Sequence, residues 1–548
     1  MAAMQHKNAS ASVHQFAMVP KSDVPRSTFI QEHTHKTTID AGYLIPIYVN
    51  EVLPGDTWNM GMTAFARLST PLFPVMDNLH VNTSFFFVPY RLLWTNFKKM
   101  MGEQANPADS ISYTVPQMVS KASGYDINSL HDYMGLPTLG QLTAAATVTH
   151  SALPLRAYNL IYNEWYRDEN LQNSVTVDLD DGPDLYSDYT LLRRGKRKDY
   201  FTSALPWPQK ATSSVSLPLG TSAPVMTSST RQVTGGQSTM TLARSSDGVQ
   251  GTATQALGVA VTTGNVYGGA TAPGETTSYY PSNLYADLST ATAATINQLR
   301  QSIAIQQLLE KDARGGTRYT EIIRQQFGVI SPDARLQRPE YLGGNDTPII
   351  INPIAQTSGT NATGTTTPLG ELAAAGAGVH RTGFTQSFTE HGIVIGLLSI
   401  RADLTYQQGI ARWWNRSTRY DFYTPAFANL GEQTILNKEI YVKGDSDPND
   451  SAVFGYQERH AEYRYYPSMI TGLFRSTASG TIDPWHLAQK FTSLPTLNTT
   501  FIQDTPPVSR IVAVGSSANG KQFILDTLFR NKMARPMPMY AVPGLRSL

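Results

Sequence analysis

The sequence predicts a mainly β protein, with antiparallel sheet towards both ends of the chain and helices and polar loops inserted between. Three observations carry this. Residues 35–94 are dense in β-branched and aromatic side chains and are cut by Gly-Tyr, Pro-Gly-Asp and Met-Asp-Asn punctuation, the pattern of successive strands and turns. Strand-like runs return from Thr347 and far outnumber any βαβ pattern, which argues against a doubly wound enzyme. Charged residues make up only 16% of the 548, where an average soluble domain carries ~25%. A surface so poor in charge suits burial against other subunits, or an exposed face dressed with Ser, Thr, Gly and Asn; both patterns occur here.

Residues 1–34 read as an extended N-terminal arm, polar and mildly basic, with Lys21 and Arg26 among its cations. From Thr37 the alternation begins. Leu44 to Val49 is an apolar run bent by Pro46, which belongs on a sheet edge or at a bulge because it cannot donate to a ladder. Leu53-Pro54-Gly55-Asp56 is a turn: proline presets φ and glycine supplies a positive one. Thr57 to Leu68 and Val81 to Val88 follow as strands. Phe85, Phe86 and Phe87 in a row cannot share one core, so at least one ring must meet a second layer or a partner subunit.

Pro89 ends that strand, and Arg91 to Met101 has helical spacing. Residues 105–150 read as mostly loop. Leu155 to Leu171 carries an aromatic stripe at helical spacing, with Pro154 near its start; such a stripe is usually core and only occasionally a base-stacking platform. Arg193, Arg194, Lys196, Arg197 and Lys198 form the densest basic cluster, preceded by the acidic run Asp178 to Asp184. It suits phosphate contact or nuclear import, or pairing with those acids.

Residues 209–280 are roughly half Ser, Thr and Gly, a composition either of disorder or of a compact surface insertion with small strands. Helical periodicity returns over Asn283 to Ala313, is stopped by Gly315-Gly316, and resumes over Tyr319 to Phe327. Thr347 to Ile354 and His391 to Tyr406 read as strands, the second opening on the fully apolar GIVIGLLSI. Aromatic and basic residues mix over Arg412 to Arg416 and Arg419 to Tyr423. Tyr456 to Tyr466, Arg510 to Val514 and Gln522 to Phe529 read as closing strands, and 530–548 as a basic tail holding Arg530, Lys532 and Arg535.

Several functions are disfavoured. The net charge of +1 argues against a body that is wholly a nucleic-acid clamp, and the lack of cysteine removes disulfides and thiolate chemistry. The N-terminal residues lack the basic start and apolar core of a signal peptide, and the longest apolar run is about half a membrane span, so a soluble chain outside the usual secretory route is expected. No phosphate-binding loop, H-E-x-x-H helix or G-x-S-x-G elbow occurs. Glu32-His33-Thr34-His35 lacks a third metal ligand, and the acids near Asp178–Asp184 and Asp445–Asp450 miss calcium-loop spacing. No catalytic residue, metal or cofactor is expected.

The opening stretch then says more. DAGYLIPIYVNEVLPGDT, MTAFARLSTPLFPVMDN and FFFVPYRLLW, in that order, closely resemble the major capsid proteins of the gokushovirus branch of the Microviridae, small single-stranded DNA phages. Looser similarity runs through RAYNLIYNEWYRDENLQ, HGIVIGLLSIRADLTYQQG and the C-terminal tail. The resemblance implies an eight-stranded antiparallel jelly roll, the viral capsid β-barrel, with long loop insertions containing several helices. It implies copies of one chain assembling through pentamers into a T=1 icosahedral shell around a circular single-stranded DNA genome. A small basic DNA-binding phage protein, a pilot or minor spike protein and a host surface receptor are the further partners implied. The chain is expected in the virion, assembled in the host bacterial cytoplasm. By position and composition 209–280 is the counterpart of the family's threefold protrusion, suspected of host contact.

Lys21, Arg26, Arg530, Lys532 and Arg535 are the candidate DNA contacts, and Phe85, Phe86 and Phe87 candidates for subunit packing. The alternative from another class is a jelly-roll carbohydrate- or receptor-binding protein, adhesin or lectin-like. A hydrolase on a β-scaffold is disfavoured for want of a carboxylate or nucleophile–base pair.

Overall fold

Alternation decides the architecture. In the computed structural model, residues 25–210, 296–330, 336–355, 372–444, 446–513 and 520–540 are described, with six three-residue strands between 225 and 286. Eight long strands build one nearly closed antiparallel barrel: β1 (Ser27–Ile39), β2 (Ile45–Val52), β3 (Thr57–Leu68), β4 (Leu79–Pro89), β5 (Glu340–Ala355), β6 (Leu372–Ser387), β7 (Gly392–Ala402) and β8 (Phe523–Arg535). Their order is β1-β8-β3-β6-β5-β4-β7-β2. Two four-stranded sheets, β1-β8-β3-β6 and β5-β4-β7-β2, thus face each other and join where β5 pairs with β6 over Ile350–Ala355. This is the jelly roll.

The chain termini meet in it. β1 pairs with β8 along its whole length, from Ser27 opposite Arg535 to Ile39 opposite Phe523. Residues 27–34 of the expected arm and 530–535 of the expected tail are therefore strand, and the arm and tail readings fail there because each supplies the other's hydrogen-bonding edge. Side chains bridge the remaining gap between β1 and β2: the Asn50 amide donates to Gln31 Oε1 (3.0 Å), and the His35 ring nitrogen Nδ1 lies 3.2 Å from the Ile47 carbonyl.

The three phenylalanines show how two cores form on either side of one sheet. Phe85 and Phe87 point into the barrel with Trp58, Phe384 and Phe388, whereas Phe86 points out to a second core. That core holds Trp94, Met118 and helix α1 (Leu153–Ile161), which covers the outer face of β4 and β7. Phe86 meets the rings of Trp165 (5.5 Å) and Tyr341 (5.6 Å). The second layer is thus supplied by the chain's own insertion, all three rings are buried, and none is left for a neighbouring subunit.

Glycine makes room for them: a Cβ at Gly396 would sit 2.6 Å from the Phe85 ring and one at Gly392 2.5 Å from that of Phe87. The run GIVIGLLSI is buried throughout, as its composition predicts.

Other elements differ from expectation. The 91–101 helix is broken into turns at Tyr90–Leu92 and Phe97–Met100. Of the helix expected over Asn283 to Ala313, Ile296–Arg314 is helix (α2) and Leu284–Ala286 is strand, residues 287–295 lying outside the described residues. α3 (Tyr319–Phe327) is as predicted, ended by left-handed Gly328. Of the strand expected over Arg510–Val514, the described residues 510–513 form none: a 3-10 turn at Val508–Arg510 follows Pro506-Pro507, Val512 makes only an isolated bridge to Pro71, and Val514 lies outside the described residues. The Tyr456–Tyr466 strand ends at Glu458, in Val453–Glu458.

Two compact units result, one of Met1–Pro208 with Ala313–Leu548 and one of Gln209–Asp312. In the second, Val225–Thr227 pairs with Leu284–Ala286, Leu242–Arg244 with Tyr279–Pro281, and Leu257–Val259 with Val266–Gly268. The pairing is nested about residues 260–265. No helix among the described residues is long and apolar enough to cross a membrane.

Candidate functional site

The residues singled out from the sequence separate into struts tied to the chain's own polar groups and a true surface. The basic cluster is strut. Arg197 bridges Asp403 (3.1 Å) and Asp346 (2.9 Å), and Lys198 pairs with Asp168. Arg193 donates to the Tyr43 hydroxyl (2.8 Å) and the Asp504 carbonyl (3.2 Å), and Arg194 to Asn82 Oδ1 (2.5 Å). Lys196 is buried over the Phe501 ring, and burial lowers its ammonium to about 8.

The acidic run does not serve this cluster. Asp184 is held by fully buried Arg156 (2.8 and 2.5 Å) and by the Tyr189 hydroxyl, and Asp181 accepts from Trp94 and Asn96. Asp450 is taken up by the backbone N–H groups of Lys443 and Gly444. His33 stacks on Phe529 at 5.1 Å. Among the described residues no group of three or more such side chains could hold a metal ion.

Of the candidate DNA contacts, Lys21 lies outside the described residues. Arg26 is exposed and donates to the Gly55 carbonyl at 2.7 Å, at the β2–β3 turn. Arg535 is a strut. Its Nε meets the fully buried Asp56 carboxylate at 3.1 Å, its Nη2 donates to the Glu51 carbonyl at 2.8 Å, and its guanidinium lies 5.7 Å over Trp58. It turns back because β8 ends where the β2–β3 turn presents Asp56.

Arg530 and Lys532 remain at the surface. On β8 every second side chain, from Phe523 to Met533, is buried in the barrel, so Ile524, Asp526, Leu528, Arg530 and Lys532 line the outer face. The register sets Arg530 between Glu32 and Gly61, and Lys532 between Ile30 and Asn59. Phe65 and Arg67 of β3, and Val379 and Arg381 of β6, are exposed on the same face. This face carries Lys36, Arg67, Arg381, Arg530 and Lys532 against Glu32 and Asp526, five cations to two carboxylates. Arg67 and Arg381 went unnoticed in the sequence, although the alternation of TAFAR and VHRTG would have placed them on one face once the register, Arg67 opposite Ala377 and Arg381 opposite Thr63, was known.

A second surface lies between residues 412 and 473. Trp413 and Trp414 stack at 4.1 Å and remain 45% and 68% exposed. Tyr420, Phe422, Tyr463 and Tyr466 are also exposed, and Arg416 sits 4.6 Å over the Tyr463 ring, anchored by Glu462 at 3.3 Å. The sequence showed the aromatic–basic mixture here but no role for it. An apolar surface so concentrated is unusual on a lone soluble chain.

Comparison with known proteins agrees with the barrel. Residues 17–545 match the phage family described as Capsid protein (F protein). The chain is 45% identical to Capsid protein VP1 of Bdellovibrio phage phiMH2K, covering 97% of both chains. It is 44% identical to Capsid protein VP1 of Chlamydia phage 1, covering 99% of each, and 36% identical to that of Spiroplasma virus 4, covering 98% of this chain and 99% of the other.

Proposed function

We propose that this chain, which belongs to the phage capsid protein (F protein) family, is a non-enzymatic shell subunit whose copies close into a T=1 icosahedral particle around a circular single-stranded DNA. The capsid role follows from membership. The finer reading rests on one observation: the two sheets of the barrel are treated differently. The outer face of β4 and β7 is covered by the chain's own insertion, whereas the face of β1, β8, β3 and β6 is exposed, cationic and studded with Phe65, Val379 and Leu528.

A subunit that encloses nucleic acid needs one such face turned inward. Lysine and arginine there offset phosphate charge and release counterions, and exposed aromatic groups accept bases without regard to sequence. Arg26, Arg67, Arg381, Arg530 and Lys532 are the contacts in this reading. The Trp413–Leu473 surface packs against neighbouring copies, which accounts for large apolar side chains that a lone subunit would leave in water. Pentamers are the first closed assembly, and a small basic DNA-binding protein and a pilot or minor spike protein complete the virion, formed in the host cytoplasm. The unit Gln209–Asp312 contacts the host receptor.

Imaging of purified material by negative stain, with its nucleic acid measured, tests this. Closed DNA-containing particles are expected. Protein that stays monomeric under every assembly condition overturns the shell reading, and closed particles that never hold DNA overturn the genome reading. Replacing residues 209–312 by a flexible linker separates the roles: particles should still close but fail to attach to host cells. An adhesin would instead lose its only activity without any effect on closed shells.

A further inference from the structure

A second cationic feature lies away from the exposed sheet face. Residues 489–510 fold around a cleft of about 440 Å³, within the range of small-molecule sites. Lys196, Lys490 and Arg510 line it, together with Phe491, Phe501 and Thr505, and no carboxylate does. Its walls are built. Phe491 is fixed through both backbone groups by the Gln408 amide (2.7 and 2.8 Å), and Arg510 Nη2 is committed to the carbonyls of His486 (2.6 Å) and Ala488 (3.2 Å).

Lys196 is the unusual member. It is 94% buried, its backbone N–H donates to the Ile502 carbonyl at 2.7 Å, and its ammonium lies 4.3 Å over the Phe501 ring. Among the described residues that ammonium has no hydrogen-bond or ion-pair partner. Asp504 and Asp199 act on it only at longer range: Asp504 is buried beside Arg401 (3.7 Å), and Asp199 accepts from the Thr202 backbone (2.7 Å) and the Tyr406 hydroxyl (2.8 Å). A largely buried cation with no direct partner is poorly compensated, and an anion in the cleft would give it one.

We infer that this cleft binds a nucleotide phosphate, with Lys196 and Lys490 as its charged ligands, Arg510 adding field from the wall, and Phe491 offering a face to the attached base. Phosphate rather than carboxylate is favoured because three cations converge where a carboxylate would neutralise one. Half-buried Phe491 beside the cations then suits a nucleotide over a free ion. The proposal rests on the genome reading only for the source of the nucleotide.

Thymidine 5′-monophosphate, too small to span the sheet face, is the probe, titrated against the purified full chain by calorimetry with inorganic phosphate in parallel. Saturable binding is expected, weakened at least about tenfold by Lys196→Met, which keeps an apolar stem over Phe501, and severalfold by the exposed Lys490→Gln. Arg530→Ala with Lys532→Ala should leave it unchanged. No saturable binding, or equal affinity in Lys490→Gln and the parent, overturns the site. Equal affinity for inorganic phosphate overturns the nucleotide assignment. Because DNA content of particles is measured separately, DNA-free shells that still bind the mononucleotide would sink the genome reading and leave the cleft standing.

Discussion

Arg535 discriminates most sharply between what its sequence position suggests and what its surroundings do. Read as part of a basic tail, Arg535→Ala removes one phosphate contact and leaves the fold alone. Read from the structure, it strips a guanidinium from a carboxylate with no solvent exposure. Breaking a buried pair by removing one partner typically costs ~3–5 kcal/mol. Two features reduce that. Arg535 keeps 15% of its side-chain surface, and Asp56 Oδ2 still accepts from the Leu53 backbone and the Trp58 indole, each at 3.1 Å. A loss of about 2–4 kcal/mol follows, measurable by urea unfolding of dissociated subunits at neutral pH. The exposed neighbour Arg530 provides the internal reference, since Arg530→Ala should change stability by no more than ~0.5 kcal/mol. If Arg535→Ala unfolds at the same urea concentration as Arg530→Ala, or lowers DNA content with stability intact, the strut assignment is wrong.

Arg530→Ala with Lys532→Ala should flatten the salt dependence of single-stranded DNA binding by about 1.4 in the log–log slope, at ~0.7 per neutralised phosphate; an unchanged slope removes these residues from the DNA surface. Gly396→Ala puts a methyl 2.6 Å from the Phe85 ring in a fully buried strand, and overpacking of this kind costs ~1–3 kcal/mol, again read by urea unfolding. His380 bridges Thr83 (2.7 Å) and Thr347 (2.8 Å) inside the barrel, and burial lowers it from 6.5 to about 4. A depressed histidine contributes stability that is present above pH 6.5 and lost as pH falls towards 4, so His380→Gln should flatten that acid limb. Asp504 has the opposite sign. Burial, outweighing Arg401 and Lys196, raises it from 3.8 to about 6, so stability present below 3.8 is lost as pH rises towards 6. Asp504→Asn should abolish that loss, and an identical pH profile in the variant would refute it.

The sequence by itself determined several of the strands and turns and the family, but neither β6 (Leu372–Ser387) nor the first half of β1. Alternation with period two, the Pro-Gly-Asp turn and the glycine after α3 are local matters, decided by residues within a few positions of one another. That is why Thr57–Leu68, the buried GIVIGLLSI run and the helix Tyr319–Phe327 were legible. The need for two apolar layers around Phe85, Phe86 and Phe87 was legible too, from the pleat alone.

Which layers they are was decided only by the tertiary structure, as was the fate of every charge. Arg197 finds its acids 149 and 206 positions away, and Arg535 finds Asp56 479 positions away. A run of cations in sequence therefore became a set of struts to partners within the chain. Arg67, Arg381 and Arg530, scattered through the chain, became one face because two antiparallel registers brought them together. Register and burial are set by long-range pairing, and no local pattern encodes which partner a charge will meet.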